Sequence, residues 1–298
     1  ISKDFNSTIL ALPKNLSDTV NFPGSISFPM RASYSIPDGR GGNHYGVRAQ
    51  DLFILDIIKS SNWERPICFS ITCSPESRIG LDNYLRMEGL TFRLTPFKGI
   101  SQNDFINPRA MWEHLMNEPQ EPSSGPAFGY RFRNLNNSKV YLDENALRLA
   151  QNYRSIFMNL ASYFVNVNPN NERALNIIKT METKIGEESI PMDYRMMYNL
   201  TLFYDALKQE QKFNEMVLKI EAKCVKMIED DPMNVSGPWN PYRVLMDVYE
   251  LSKQYDKELD ILRKLEIIFP QAQDVKQKIK MVQKMKMGIE PFATDSAK

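Results

Sequence analysis

The amino-acid sequence predicts an α+β fold that is mainly α, in which a small α/β unit precedes a domain of antiparallel helices. Two strand-length patterns indicate the α/β unit: the apolar run PICFSIT, and GLTFRLTP, where Leu90, Phe92 and Leu94 alternate with polar residues. Helix-length segments follow residue 140 and are separated by short breaks, which is typical of stacked helices. We therefore predict three domains, at 1–45, 46–140 and 141–298.

The first region, 1–45, is predicted to be an irregular, extended lead-in. Prolines and glycines interrupt it so often that no helical period develops. It does contain short candidates for extended structure, such as SISF at 25–28. We expect this region to lie over a neighbouring surface.

The middle region, 46–140, is predicted to be a small α/β domain. VRAQDLFILDIIKSS has the length of a helix, and its apolar middle predicts a helix buried on most sides. The continuous apolar character of PICFSIT favours a strand covered on both faces, as in a parallel sheet. Residues 65–96 would then form a strand, a loop, a short helix and a second, parallel strand. A further short helix is expected around MWEHLM.

The third region, 141–298, is predicted to be a helical domain that resembles a tetratricopeptide repeat array. The candidate helices are 142–167, 170–185, 193–209, 212–229, 240–254, 256–269 and 272–287. The segment YDKELDILRKLEIIFP resembles the second helix of that repeat in its aromatic start and its closing proline. The helices recur at wider spacing than in the consensus repeat, so an ordinary helical bundle is the alternative.

Composition excludes several classes of protein. The chain of 298 residues has 37 basic and 36 acidic side chains, and this balance gives no general attraction to nucleic acid. The most apolar run, LFILDII, is far shorter than the ~20 residues that span a bilayer. The chain starts with Ile1 and shows no signal peptide, so we expect a fragment or a processed product.

Three cysteines and two histidines do not predict a metal centre or a disulfide framework. Cys68 and Cys73 lie five residues apart in an apparent strand, which would place their Cα atoms ~16 Å apart. A disulfide needs less than ~7 Å. We expect Cys68, Cys73 and Cys224 to be buried as small apolar side chains. No metal and no cofactor is predicted.

The stretch SPESRIGLDNYLRMEGLTFRLTP, at 74–96, is the strongest candidate for a binding site. Ser74, Pro75 and Glu76 have the pattern of a helix N-terminus, which explains them without a function. Alternatively, the same loop follows the carboxyl end of a buried strand, where α/β proteins bind ligands. Glu76, Arg78 and Asp82 would then face the ligand.

Tyr84, Glu88 and Arg93 complete the predicted set of ligand-binding residues. On a helix, Asp82 would pair with Arg86 four residues later, and Leu81 and Leu85 would face the core. Arg93 is expected to pair with Glu88, so a structural ion network is the alternative to a ligand site. Asp82 and Glu88 do not share a helical face, which argues against an acid–base pair. No catalytic residue is predicted.

Other motifs carry weaker signals. The glycines of DGRGGNHYG, at 38–46, match neither a P-loop nor a dinucleotide fingerprint, and a flexible connection is expected there. His114 is expected to be a surface or packed residue. The lysine-rich segment DVKQKIKMVQKMKMG predicts either the polar cap of a helical array or a helix lying on an anionic membrane.

Two strings identify a family resemblance. One is NWERPI followed by SPE, GLD, YL, EGL and RLTP between 62 and 96, and the other is VYLDENALRLAQNYRSIFMNLA from 140. The second string includes Asp143, Arg148, Asn152, Tyr153 and Arg154. Both resemble the soluble C-terminal part of a bacterial family of multi-spanning membrane proteins of unknown function. The membrane half of that family is similar to protein O-mannosyltransferase-like glycosyltransferases, and this half is absent here.

The resemblance implies an extracytoplasmic, periplasmic domain of an inner-membrane protein, attached through an absent N-terminal multi-spanning region. It also implies a non-catalytic role, in which the domain binds an acceptor protein, a glycan or a partner subunit, while the parent protein is a candidate glycosyltransferase. The alternative, from the helical pattern, is a free-standing helical-repeat adaptor that binds a protein or peptide. We predict no nucleic-acid partner.

Overall fold

The computed structural model describes residues 5–11, 25–30, 32–119 and 129–289 of the chain. The chain divides into two compact units, Ile1–Ile190 and Pro191–Lys298. In the described ranges it forms nine α-helices and three small antiparallel sheets, which confirms an α+β fold that is mainly α. The division into three domains, at 1–45, 46–140 and 141–298, stays a prediction.

The first unit begins with two β-hairpins where the sequence predicted an irregular segment. Strand β1 (Phe5–Ala11) pairs with β2 (Ser25–Met30), and β3 (Tyr34–Pro37) pairs with β4 (Asn43–Gly46). In β2 every second side chain, beginning with Ile26, is buried, which is the period of a strand with one covered face. The buried side chains of β2 belong to the core of the first unit, while the prediction that the whole region lies over a neighbouring surface stays a prediction.

The loop at 38–46 is the end of the β3–β4 hairpin. Asp38 accepts hydrogen bonds from the backbone N–H groups of Arg40 and Gly42, both at 2.8 Å. This is an Asx-type closure of a turn, and it explains the aspartate and glycines there without a ligand.

A single helix and a three-stranded sheet follow. Helix α1 is Ala49–Ser60, and strands β5 (Cys68–Ser70), β6 (Leu85–Met87) and β7 (Thr91–Leu94) form a sheet in the order β5-β7-β6. Both pairings are antiparallel. The predicted parallel pair is therefore wrong. Strand β5 buries only Phe69, while Cys68 and Ser70 are exposed, so it has one covered face and needs no parallel crossover.

Helix α1 is far more exposed than its sequence predicted. Only Asp51 and Ile58 are buried, whereas Leu52, Phe53 and Ile57 are more than half exposed. Apolar residues on all sides of a helix predict burial only where enough neighbouring structure covers them. The described residues cover one face of α1.

The predicted helix in the stretch 74–96 is replaced by two short 3₁₀ helices, Pro75–Arg78 and Asp82–Tyr84, followed by β6. Ile79 and Gly80 have φ angles of 50° and 92°, so the chain turns in the left-handed region and cannot continue as an α-helix. Leu81 and Leu85 are buried, as predicted. Their partners in the core come from β2, α1 and the sheet: Ile26, Phe28, Ile58, Phe69 and Leu94.

Several helices follow in the part of the first unit that the structure describes. A third 3₁₀ helix, Gln102–Phe105, leads to α2 (Pro108–Met116), the predicted helix at MWEHLM. Helix α3 (Glu144–Ser162) runs into a π-helical turn at Tyr163–Val167, and α4 (Asn171–Lys184) follows. The guanidinium of Arg154 on α3 is fully buried and donates to the carbonyl oxygens of Ile185 and Gly186.

Arg154 and its neighbours in the second family string have structural roles. Burial lowers the pKa of Arg154 to about 10. Tyr153 packs edge-to-face against Tyr130 and Phe132. Asp143 caps α3 by accepting a hydrogen bond from the N–H of Ala146 at 2.7 Å. These contacts explain Asp143, Tyr153 and Arg154 by the packing and capping of α3.

Up to residue 289, where the described part of the second unit ends, it forms five helices: α5 (Tyr194–Ala206), α6 (Glu210–Asp230), α7 (Pro241–Leu251), α8 (Tyr255–Ile268) and α9 (Gln273–Lys286). Each contacts the next along the chain. All seven helices predicted after residue 140 occur, with ends shifted by a few residues. The tetratricopeptide-like register stays a prediction.

The lysine-rich helix α9 packs on α8. Val282 is fully buried against Leu259 and Leu262. Lys278 lies between the carboxylates of Glu250 and Glu258, and Lys286 pairs with Asp256. These ion pairs favour the predicted role of α9 as the polar cap of the helices before it.

Candidate functional site

A cleft of about 450 Å³ lies in the first unit, between the end of β2, the start of α1 and the loop that follows β5. This volume is in the range of small-molecule sites. Three parts of the chain line it: Pro29, Met30, Ala32 and Ser33; Arg48 and Asp51; and Pro75, Glu76, Ile79, Gly80, Asp82 and Asn83. Two of the six predicted ligand-binding residues, Glu76 and Asp82, are therefore in the lining.

Asp51 forms the buried floor of the cleft, with an exposed fraction of 1%. Its carboxylate accepts hydrogen bonds from the Ser33 hydroxyl, from the backbone N–H of Arg48 at 3.0 Å, and from Nη2 of Arg48 at 3.0 Å. Burial alone would raise the pKa of Asp51, but the hydrogen bonds from Arg48 and Ser33 outweigh it and lower the pKa. A fixed negative charge results, held by α1 and the segment after β2.

Gly80 brings the loop against β2 so closely that only glycine fits. Its φ angle is +92°, and a Cβ built at this position would lie 2.0 Å from the carbonyl oxygen of Pro29. The two sides of the cleft are thereby held together at one end. The position of Glu76 and Asp82 relative to Asp51 depends on this contact.

Glu76 and Asp82 form the exposed rim of the cleft. Glu76 carries a lowered pKa because its own backbone N–H and the Ser74 hydroxyl donate to it, with Arg48 and Arg78 adding positive charge nearby. Asp82 pairs with Arg78 at 3.1 Å, not with Arg86 as the helical pattern predicted. Arg86 instead donates to the backbone carbonyls of Leu85 and Phe97.

Arg78 lies next to this rim but outside the lining of the cleft. Its guanidinium lies 4.3 Å from the ring centroid of Phe92, a cation–π contact that fixes the side chain. It also donates to the carbonyl of Cys73. Arg78 thus positions Asp82, and the cleft has an excess of negative charge: Asp51, Glu76 and Asp82 against Arg48 and Arg78.

The last three predicted residues, like Arg78, lie outside the lining. Tyr84 is buried and its hydroxyl bonds the backbone of Ser27 in β2. Glu88 accepts from Nδ2 of Asn107 at 2.8 Å and lies 3.7 Å from Nη1 of Arg93, so the predicted Glu88–Arg93 pair is confirmed. The structure brings together the first half of the predicted set and assigns structural contacts to the second.

Sequence reasoning missed Ser33, Arg48 and Asp51. A signal was present: Asp51 and Arg48 are charged residues three apart at the start of an otherwise apolar helix, a spacing typical of helix N-terminal capping. Ser33 had no signal, because it reaches Asp51 only through the hairpin that precedes α1. Its place in the site is a result of tertiary packing.

The three cysteines differ in exposure, and only Cys224 is as buried as the sequence predicted. Cys224 is buried, but Cys68 is exposed and Cys73 is half-buried, so the prediction of three buried thiols is wrong for Cys68. All three are free thiols.

Within the described residues, no group of three or more His, Cys, Asp or Glu side chains is arranged to hold a metal ion. His114 is packed, with Nδ1 at 2.7 Å from the carbonyl oxygen of Glu88.

Residues 42–110 match the family model described as TMEM260-associated domain 2. The match covers α1, the three-stranded sheet and most of the cleft lining, and ends in α2. This segment is thus similar to a domain associated with a family of membrane proteins. The similarity agrees with the association with a membrane protein that the sequence resemblance implied. No curated protein and no solved structure matches the chain. None of the helices in the described residues is long and apolar enough to cross a membrane.

Proposed function

We propose that this chain is the extracytoplasmic, periplasmic part of a multi-spanning, glycosyltransferase-like inner-membrane protein. In this role it does not catalyse the transfer itself, but binds the acceptor beside the membrane-embedded part. The observation that carries the proposal is the cleft at Asp51, Glu76 and Asp82, most of which lies inside the segment similar to a TMEM260-associated domain.

The chemistry of the cleft favours a neutral, hydroxyl-rich ligand such as an acceptor glycan. Carboxylates accept hydrogen bonds from sugar hydroxyls, and Glu76 and Asp82 present such acceptors at the rim. The excess of negative charge disfavours phosphates and nucleic acids. The ion pair between buried Asp51 and partly exposed Arg48 holds the floor in place, which lowers the entropy cost of ordering the site on binding.

Helix α1 supports a contact with the membrane-embedded part or with a partner subunit. Phe53 and Ile57 lie four residues apart, so they share one face, and they are 67% and 55% exposed. Leu52 is exposed beside them. Exposed apolar side chains grouped on one face are typical of interaction surfaces. This face is separate from the residues that line the cleft.

The gene gives the first test. The proposal requires that several membrane-spanning segments precede the codon for Ile1. A gene that encodes no such segments would overturn the membrane-protein part of the proposal.

A glycan-binding screen gives the second test. Glycans captured by the chain should bind at least about tenfold more weakly to the double variant Glu76→Gln, Asp82→Asn, since each loses a charge-assisted acceptor. Asp260→Asn, an exposed carboxylate on α8, is the matched control and should bind as the unmodified chain does. Equal affinity in all three proteins would exclude the cleft as the glycan site.

A second candidate function is a helical-repeat adaptor for a protein or peptide. The observation that favours it is the series α5 to α9, in which each helix contacts the next, as in stacked repeats. For this function, peptide capture should be lost completely when Pro191–Lys298 is removed. Capture that survives the removal would exclude the adaptor role of these helices.

A further inference from the structure

A second cleft, of about 380 Å³, lies between α2 and the start of α4. Trp112 of α2 forms one wall, and Tyr163 and Phe164 of the π-helical turn form another. Arg173, in the first turn of α4, completes the lining on the same side as the π turn. None of these residues lines the cleft at Asp51, so the two sites can be tested separately.

The aromatic side chains hold each other in place. Trp112 and Phe164 pack edge-to-face with their ring centroids 6.0 Å apart, and Tyr163 packs edge-to-face on Phe164 at 5.3 Å. The π turn sets this arrangement, because it ends α3 and redirects the chain into α4. Asn170 N–H donates to the carbonyl of Phe164 at 2.7 Å and fixes the turn. Single π turns of this kind frequently occur at functional sites.

Arg173 provides an uncompensated positive charge at this aromatic wall. Its guanidinium lies 5.5 Å from the ring centroids of both Trp112 and Phe164. Within the described ranges this guanidinium makes no hydrogen bond and no ion pair, whereas the backbone N–H of Arg173 donates to Oδ1 of Asn170 at 2.9 Å and caps α4. The other arginine of the lining, Arg109, is neutralised by Glu113 at 3.1 Å. The cleft therefore offers one set of free guanidinium donors beside an apolar surface.

We propose that this cleft binds an acidic peptide segment, with one carboxylate on Arg173 and an adjacent apolar side chain against Trp112 and Tyr163. A carboxylate matches the guanidinium in shape and accepts two parallel hydrogen bonds from it. The contacts with the Trp112 and Phe164 rings hold the guanidinium in place, so little side-chain entropy is lost on binding. The proposal rests on this cleft alone and is independent of glycan binding at Asp51.

Two other ligand classes fit the cleft less well. A phosphate group carries nearly two negative charges and is usually bound by a cluster of arginines, whereas only one guanidinium is uncompensated here. A sugar ring stacks on a free aromatic face, but Arg173 already lies over Trp112 and Phe164. A single carboxylate next to an apolar group satisfies both the charge and the walls.

The test uses the whole chain and short peptides that carry no terminal charges. The probe is the acetylated and amidated peptide Gly-Asp-Phe-Gly, compared with its Asn and phosphoserine counterparts. The NMR signal of the Trp112 indole N–H, assigned with Trp112→Phe, reports binding locally. We expect the Asp peptide to shift this signal at millimolar concentration, and the Asn peptide to bind about tenfold more weakly or worse.

Three variants make the test specific. Arg173→Gln should weaken binding of the Asp peptide by about tenfold or more, since it removes the charged donor. Lys179→Gln makes the same change in net charge on α4 outside the lining, and should leave the affinity unchanged. Glu113→Gln should tighten binding, because it leaves Arg109 as a second uncompensated charge. Thermal melting of each variant checks that it is folded.

Several results would overturn the proposal. These are equal binding of the Asp and Asn peptides, retention of affinity in Arg173→Gln, stronger binding of the phosphoserine peptide, and no shift of the Trp112 signal with any peptide. Loss of glycan binding in the Glu76 and Asp82 variants would not affect this result, since those residues lie in the other cleft.

Discussion

The hydroxyl of Tyr84 donates a hydrogen bond to the carbonyl oxygen of Ser27 at 2.8 Å and accepts one from the N–H of the same residue at 3.2 Å. A side chain from the predicted ligand-binding stretch thus ties β2 to the loop that lines the first cleft. This contact fixes one wall of the site relative to the other, although Tyr84 itself lies outside the lining.

Tyr84→Phe should lower the free energy of unfolding by about 1 kcal/mol, because it removes these two hydrogen bonds and keeps the ring in the core. Chemical denaturation measures this change. The affinity of the cleft for its ligand should change little. A large loss of affinity in a variant of unchanged stability would show that Tyr84 contacts the ligand directly.

Asp51→Asn should lower the free energy of unfolding by about 2 kcal/mol or more at pH 7, because Arg48 and Ser33 lose a buried, charged acceptor. The pKa of Asp51 is lowered in the folded state, so its contribution is complete above the unfolded pKa of 3.8. The contribution disappears as the pH falls through the lowered, folded-state pKa. The stability difference between the two proteins should therefore shrink in acid. Asp56→Asn, an exposed residue of α1, should show neither effect.

Glu258 should make the second unit less stable as the pH rises towards neutrality. It is fully buried on α8, and burial, together with the carboxylates of Glu250 and Asp247, raises its pKa to about 7 against the attraction of Lys278. Between its unfolded pKa of 4.5 and about 7, the folded protein holds a proton that the unfolded chain releases. Stability contributed by this group is therefore lost across that window.

Glu258→Gln should remove this slope and raise the free energy of unfolding above pH 7 by up to about 3 kcal/mol, less the lost attraction to Lys278. Denaturation curves at a series of pH values measure both changes. Asp260→Asn on the same helix is exposed and serves as the control. A variant that keeps the slope of the unmodified chain would contradict the assignment.

The two faces of α1 should respond differently to truncation. Ile58 is 1% exposed and lies in the core, so Ile58→Ala should cost about 2–5 kcal/mol. Phe53 is 67% exposed, and Phe53→Ala should change stability by less than about 0.5 kcal/mol. Equal destabilisation by both, measured by thermal or chemical unfolding, would show that the exposed face of α1 is covered in the folded chain.

The cysteines should differ in reactivity. Cys224 is fully buried and burial raises the pKa of its thiol to about 12, so little reactive thiolate exists at neutral pH. Cys68 is exposed as a residue, and partial burial of its sulfur raises the pKa of the thiol. A thiol reagent should label Cys68 in the folded protein and Cys224 only after denaturation, as followed by mass spectrometry. Labelling of Cys224 at the rate of Cys68 under native conditions would contradict this.

The sequence by itself determined the helical part of this protein. All helices from α3 to α9 were predicted, because each carries its own apolar period and its own capping or breaking residues, which act within a few positions along the chain. The caps and apolar periods of these helices are local properties. The pairing of Glu88 with Arg93 and the burial of Leu81 and Leu85 were also predicted, although the helix from which the burial of the two leucines was inferred is replaced by 3₁₀ turns and a strand.

Only the tertiary structure decided the sheet and the sites. The apolar character of PICFSIT could not reveal whether its strand is covered on one face or two, and the left-handed turn at Ile79 and Gly80 ended a helix that local pattern favoured. Asp51 meets Ser33, and Arg173 meets Trp112, across distances in sequence that no local signal spans. Both clefts arise where separate segments pack together, so their chemistry depends on contacts that spacing along the chain does not encode.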